Sequence, residues 1–170
     1  MESRIILLTD EITAQAAAAA CALLLVLEAE APEKHILMYI NSPGGDVSAG
    51  LAIYDTMQLI KPNVATLCVG QALSTASLLL AGGAKGRRYC TPNSSVMTHQ
   101  LSGSACGQAS DMKIHVLNMI EQEKTITRIY MKHCSKTCTE VEKALDRDCF
   151  MTPSQALKWG IIDFVISKRA

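Results

Sequence analysis

Ser74, His99 and a set of aspartates are the residues whose types and places could carry nucleophilic chemistry. Ser74 follows the β-branched run Val64 to Gly70 and the turn Gln71-Ala72-Leu73, and it opens an apolar stretch with helical spacing. At such a strand-to-helix turn, unpaired N–H groups and the helix dipole stabilise a developing alkoxide or oxyanion. Serine is also a favoured helix cap, and as a cap its loss would cost about 0.5–2 kcal/mol. Cys68, the alternative nucleophile, lies inside the apolar strand, where cysteine behaves as a small hydrophobe.

His99 ends the strand Val96-Met97-Thr98 and opens a polar loop, from which an imidazole can reach a neighbouring strand-to-helix turn. A structural role is open to it as well, since histidine suits half-buried sites. His35, His115 and His133 fall before a strand or on a long helix and read as surface or packing residues. A serine–histidine pair needs a carboxylate to orient the base, and sequence order does not choose it. Asp10, Asp46, Asp55, Asp111, Asp146, Asp148 and Asp163 are all available; Asp148 leads into the apolar pair Phe150-Met151, a setting that could partly bury it. Gly44-Gly45 could present N–H donors to an oxyanion, form a tight turn needing positive φ, or cradle a phosphate. The phosphate reading is the weakest, because no Gly-Lys-Ser/Thr follows. His133, Cys134 and Cys138 hint at a metal, but without a second ligand pair no metal is expected.

The elements that must hold these residues alternate between short β-branched runs and longer helical stretches, which is the pattern of βαβ units and an α/β domain. Strands are expected at Arg4–Leu8, Ile36–Ile40, Val64–Gly70, Arg87–Cys90, Val96–Thr98 and Ile161–Ile166. Helices are expected from a start at Thr9-Asp10-Glu11 to about Glu30, and at Val47–Ile60, Ser74–Ala81, Gln108–Lys132, Thr139–Leu145 and Pro153–Lys158. The helix from Gln108 is long enough to project from a small domain or to pack on a neighbour. One domain spanning residues 1–170 is expected from the length.

Lys+Arg and Asp+Glu are both 16 and the formal net charge is zero, so nothing draws the chain to nucleic acid or to an anionic membrane. The hydrophobic fraction, 49%, is high enough that some apolar surface is expected to face a partner. Ile12 to Leu27 is too short and too interrupted to span a membrane, and Met1 to Ile6 lacks the order of an export signal, any targeting segment being expected to have been removed. Seven cysteines in no dense framework read as reduced, intracellular thiols.

Tyr39-Ile40-Asn41-Ser42-Pro43-Gly44-Gly45, Gly50 to Met57, Gly70-Gln71-Ala72-Leu73-Ser74, Pro92-Asn93 through His99-Gln100, Gly107 to Asp111 and Arg147-Asp148-Cys149-Phe150-Met151 together resemble the proteolytic subunit of the ATP-dependent Clp protease, in order and over nearly the whole chain. The resemblance implies a crotonase-like α/β fold with a projecting handle at about residues 101–133. It implies a Ser-His-Asp endopeptidase with nucleophile Ser74, base His99 and orienting carboxylate Asp148, and an oxyanion hole from the N–H groups of Gly45 and Thr75. It further implies two stacked heptameric rings around unfolded polypeptide substrates, ring–ring contacts at Asp146 and Arg147, and a partner AAA+ Clp unfoldase that uses the ATP. The subunit itself is then expected to need no nucleotide or metal, and to work in a bacterial cytoplasm, mitochondrial matrix or plastid stroma. A crotonase-fold acyl-CoA enzyme and a catalytically weak structural ring subunit are the alternatives.

Departures from the family pattern carry their own expectations. Thr75-Ala76 follow the nucleophile in place of Met then Gly or Ala, and Leu73 replaces a small residue, so the pocket for the residue before the cut is expected to be reshaped. Thr98 stands where the family has an apolar residue and Leu101 where it has proline, so the base is expected to be less rigidly held. The family's pore-loop segment has no counterpart before the first strand, from which free entry of small peptides and weak response to an unfoldase are expected.

Overall fold

A computed structural model describes residues 4–104 and 106–168. The readings of residues 1–3, and of Ala105 in the loop before the long helix, lie outside the described residues.

The chain is an α/β fold on a mostly parallel seven-stranded sheet. β1 (Ile5–Thr9), β2 (Ile36–Ser42), β3 (Val64–Leu73), β4 (Arg88–Cys90) and β7 (Phe164–Val165) lie side by side in that order, all parallel. β5 (Ser95–Thr98) pairs with the far end of β3, and β6 (Cys149–Met151) closes antiparallel on β5. Strands buried on both faces read as apolar runs, which is why Ile36, Met38 and Ile40 of β2 and Val64 to Cys68 of β3 are buried.

β3 is longer than its apolar run suggests. The β2–β3 register slips between Ile40 and Ser42, where Gly70 takes φ +90° and a Cβ there would stand 2.7 Å from the Asn41 amide oxygen. Beyond this bend Gln71, Ala72 and Leu73 do not turn away but pair with Ser95, Val96 and Met97. The expected turn is therefore strand, and it carries Ser74 to the edge where β5 ends.

α1 (Ala14–Glu30) begins later than Thr9-Asp10-Glu11 indicates, because Asp10 takes φ +77° and Ile12 bonds to the Gly44–Asp46 turn. Its cap is Thr13, whose hydroxyl accepts from the Ala16 N–H. Asp46 caps α2 (Val47–Leu59) in the same way, through the Ala49 N–H at 2.7 Å. α3 (Thr75–Ala81) is buried at every residue and lies at the centre of the core.

α4 (Ala109–Cys134) has 26 residues, about 39 Å at 1.5 Å per residue. Only its C-terminal part enters the core, through Ile126, Ile129, Tyr130 and Cys134; Ile114, Val116, Leu117 and Ile120 nearer its start are exposed. α5 (Cys138–Leu145) and α6 (Pro153–Trp159) each open with a capping box, from Thr137–Glu140 and Thr152–Gln155. Among the described residues no helix is long and apolar enough to cross a membrane.

Two polar clusters lock the helices to the sheet. Arg88 of β4 pairs with Asp163 at 2.7 Å and also donates to the carbonyls of Ala81 and His133, tying the ends of α3 and α4 to the sheet. Burial alone would raise the Asp163 carboxyl, but its hydrogen bonds and charge contact with Arg88 hold it below the usual range. Tyr54 of α2 lies 2.8 Å from His133 Nε2 and meets its ring edge-on.

Burial, with help from the charges of Lys132 and Arg88, lowers His133 to about 4, so the ring is neutral and accepts the Tyr54 hydroxyl proton. The unfolded chain protonates this histidine near 6.5, so it binds more protons than the folded chain between those values. Its contribution to stability is complete above about 6.5 and is lost as the pH falls toward 4. The thermal midpoint of the wild type should thus drop between pH 7 and pH 5 more steeply than that of His133→Gln, which keeps an acceptor for Tyr54; equal slopes would remove His133 as the cause.

Candidate active site

Registers of two strand pairs converge on Ser74 and His99. In the parallel β3–β5 pair Leu73 faces Met97, and the ladder continues when the Ser74 N–H donates to the Met97 carbonyl at 2.9 Å. In the antiparallel β5–β6 pair Thr98 faces Cys149, so the next residues outward, His99 and Asp148, meet across the end of the ladder. The strand β6, which sequence patterning missed, is what delivers Asp148 and distinguishes it from the other aspartates.

The side chains follow. Ser74 Oγ lies 2.8 Å from His99 Nε2, and His99 Nδ1 lies 3.1 Å from Asp148 Oδ1. A carboxylate only accepts, so Nδ1 carries the ring proton and Nε2 is the lone-pair nitrogen that accepts from the serine hydroxyl. The His99 side chain is 29% exposed and that of Asp148 is 65% exposed. Such a chain can take a proton from the hydroxyl as its oxygen attacks and return it to a leaving group.

Ser74 occupies the cap position of α3 without acting as a cap: its side chain bonds no helix N–H, and its backbone sits at φ +54°, ψ −126°. Such a sparsely populated positive-φ conformation in a non-glycine residue costs about 1–3 kcal/mol and must be held by its surroundings. Here the Ser74 carbonyl accepts from both the N–H and the hydroxyl of Ser77, and Ser77 Oγ lies 2.7 Å from Tyr130 Oη, deep in the core. With the Ser77 hydroxyl committed to the carbonyl, the Tyr130 hydroxyl is the donor between them. Burial raises the Tyr130 hydroxyl well above its usual range, so it stays protonated for this task. Sequence reading missed Ser77 and Tyr130; the one local signal was a serine three residues after the cap position, a spacing at which hydroxyls bond back to the first turn.

The glycine turn packs against the same helix start. Gly44 takes φ +91°, and a Cβ there would stand 2.7 Å from the Ser74 Cβ. Ile12 bonds to the Gly44 carbonyl and the Asp46 N–H, leaving the intervening Gly45 N–H and carbonyl directed to the other side, where the carbonyl accepts from Thr75 Oγ1 at 3.0 Å. Thr75 is the first residue of α3, so its N–H has no partner within the helix. A small open cleft lies alongside, with Val47, Leu78, Leu101, Ile126 and Tyr130 among its walls. Gly45 and Thr75 border the same cleft as Ser74, from two different elements. Thr75 lines it, whereas Ala76 is fully buried beneath it.

Other candidates are placed elsewhere. Cys68 is buried in β3 opposite Cys90; hydrogen bonding to that thiol, then burial, pushes its own far above the usual range, so it stays protonated. Cys134 is buried, Cys138 is exposed and bonds Glu142, and His133 faces Tyr54, so these three are not brought together. Asp146 and Arg147 are exposed beside Asp148, their side chains 3.9 Å apart. Thr98, expected to loosen the base, is instead 1% exposed and bonded to the Ala144 carbonyl. A protein-family model described as Clp protease matches residues 1–169 of the chain.

Proposed function

The chain belongs to the Clp protease family, and we propose that it is a serine endopeptidase subunit in which Ser74 attacks the scissile carbonyl, His99 is the general base and Asp148 orients it. The observation that carries this reading is the continuous contact from Ser74 Oγ through the His99 ring to Asp148, with Ser74 in a strained backbone conformation. The tetrahedral oxyanion is received by the N–H groups of Gly45 and Thr75. His99 then protonates the leaving amine and activates the water that hydrolyses the acyl-enzyme. The apolar walls of the adjoining cleft favour an uncharged side chain before the cut. No metal or nucleotide takes part in these steps.

A crotonase-like arrangement of the fold, one domain over residues 1–170 and a handle at about 101–133 belong to the same proposal. The exposed Ile114, Val116, Leu117 and Ile120 on α4 support assembly through that helix, as two stacked heptameric rings enclosing unfolded substrates delivered by an ATP-driven AAA+ Clp unfoldase. A compartment with reduced thiols, such as a bacterial cytoplasm, mitochondrial matrix or plastid stroma, suits the free cysteines.

Fluorogenic peptide turnover by the purified chain, followed alongside its sedimentation, tests the proposal: cleavage by a particle of ring mass is expected, and an assembled particle without turnover would favour the structural-subunit alternative. Arg147 reaches only a surface contact to Asp146, of a kind that contributes 0 to about 1 kcal/mol. Its place in the proposal is between rings, so Arg147→Ala should release single heptamers and lower turnover. Unchanged sedimentation with full activity would reject that coupling.

A further inference from the structure

Asp148 is poorly held by its own contacts. Its side chain is mostly exposed, it meets His99 at one oxygen, and the strand after it is three residues long with β5 as its partner. Something else must fix the segment that carries it. The residues before it are the end of α5, where the last carbonyls have no partner within the helix.

Two of those carbonyls are taken by the residues on either side of the base. The Thr98 hydroxyl donates to the Ala144 carbonyl at 3.1 Å, and Gln100 Nε2 donates to the Asp146 carbonyl at 2.9 Å. Along an extended segment residues 98 and 100 point to one side and residue 99 to the other. The stretch that aims the imidazole at Ser74 therefore grips, with its opposite side, the chain leading to Asp148.

We infer that Thr98 and Gln100 are positioning residues that hold the Asp148 segment against His99 through the terminal carbonyls of α5. The inference rests on the triad proposed above. Carboxylate and base are thereby registered by side-chain bonds as well as by the short β5–β6 ladder, and the alignment survives the exposure of Asp148. Loss of one bond should act on the acid–base step, not on substrate binding.

The test is steady-state peptide hydrolysis by the assembled protein. Thr98→Val, which keeps the shape and removes the hydroxyl, should lower kcat about five- to tenfold with KM unchanged, as expected for one lost hydrogen bond acting on the transition state. Thr98→Ser should restore kcat. The exposed Gln100→Leu should lower kcat by a similar factor, its KM being read separately because Gln100 also borders the cleft beside Ser74, and its kcat carries the test if Thr98→Val fails to fold. In an Asp148→Asn background neither substitution should lower kcat further, because each acts through that carboxylate. A fall in melting temperature with kcat intact, or losses that multiply with Asp148→Asn, would overturn the inference. If Asp148→Asn itself leaves kcat unchanged, it is the proposed triad that has failed.

Discussion

Ser74→Ala should lower peptide turnover by about a millionfold, the scale seen when the nucleophile of a serine peptidase triad is removed. Peptide hydrolysis at saturating substrate, with assembly followed by sedimentation, reads this directly. The structure makes the variant a clean one. Because the Ser74 hydroxyl bonds His99 and no helix N–H, its loss removes no cap, and the penalty of about 0.5–2 kcal/mol expected of a capping serine should not appear. Alanine shares the positive-φ strain already present at this position. Stability within about 0.5 kcal/mol of wild type is expected. Substantial residual turnover with normal stability would move the nucleophile elsewhere.

Asp148→Asn should lower kcat by up to about ten-thousandfold, the loss known when the carboxylate of such a triad becomes an amide. The cause is the tautomer. Opposite an amide N–H, His99 Nδ1 becomes the acceptor and Nε2 carries the proton, so it can no longer take one from Ser74. The exposure of Asp148 sets the size of the effect: water competes for Nδ1 and shares the work of stabilising the imidazolium, so the loss should lie below that ceiling. KM should hold, since Asp148 is not among the residues around the adjoining cleft. Comparison of kcat and KM for the two proteins is the check, and equal kcat would leave Asp148 a surface carboxylate.

Much of this arrangement was legible in local pattern. Ser74 at a strand-to-helix junction, the glycine turn at Gly44-Gly45 and the long helix from about Gln108 follow from side-chain periodicity and turn chemistry, which act over a few residues. The choice among aspartates was not legible from that source. Asp148 reaches His99 because β6 pairs antiparallel with β5, a contact between residues about fifty apart in the chain; Cys149–Met151 is too short to show a strand period. The same reason hid the far end of β3, where Gln71 to Leu73 look like a turn after Gly70 yet find a ladder on β5. Thr98 shows the converse. Read as a departure from the family it suggested a looser base, because its hydrogen-bond partner, the Ala144 carbonyl, lies 46 residues away in sequence. At the other end of the chain, Ile161 and Ile162 are buried but unpaired with the sheet, so the expected strand over Ile161–Ile166 is reduced to Phe164–Val165.

The most direct measurement is covalent trapping with a fluorophosphonate, whose phosphorus takes the serine oxygen as fluoride leaves. Mass mapping of the trapped wild-type protein should place the adduct on Ser74, and the rate of trapping should collapse in His99→Ala, where no base takes the hydroxyl proton. A crotonase-type acyl-CoA enzyme has no activated serine and would stay unlabelled. An adduct on Ser74 formed at the same rate with and without His99, or peptide-cleaving protein that carries its adduct on another residue, would contradict the assignment of Ser74 as a nucleophile activated by His99.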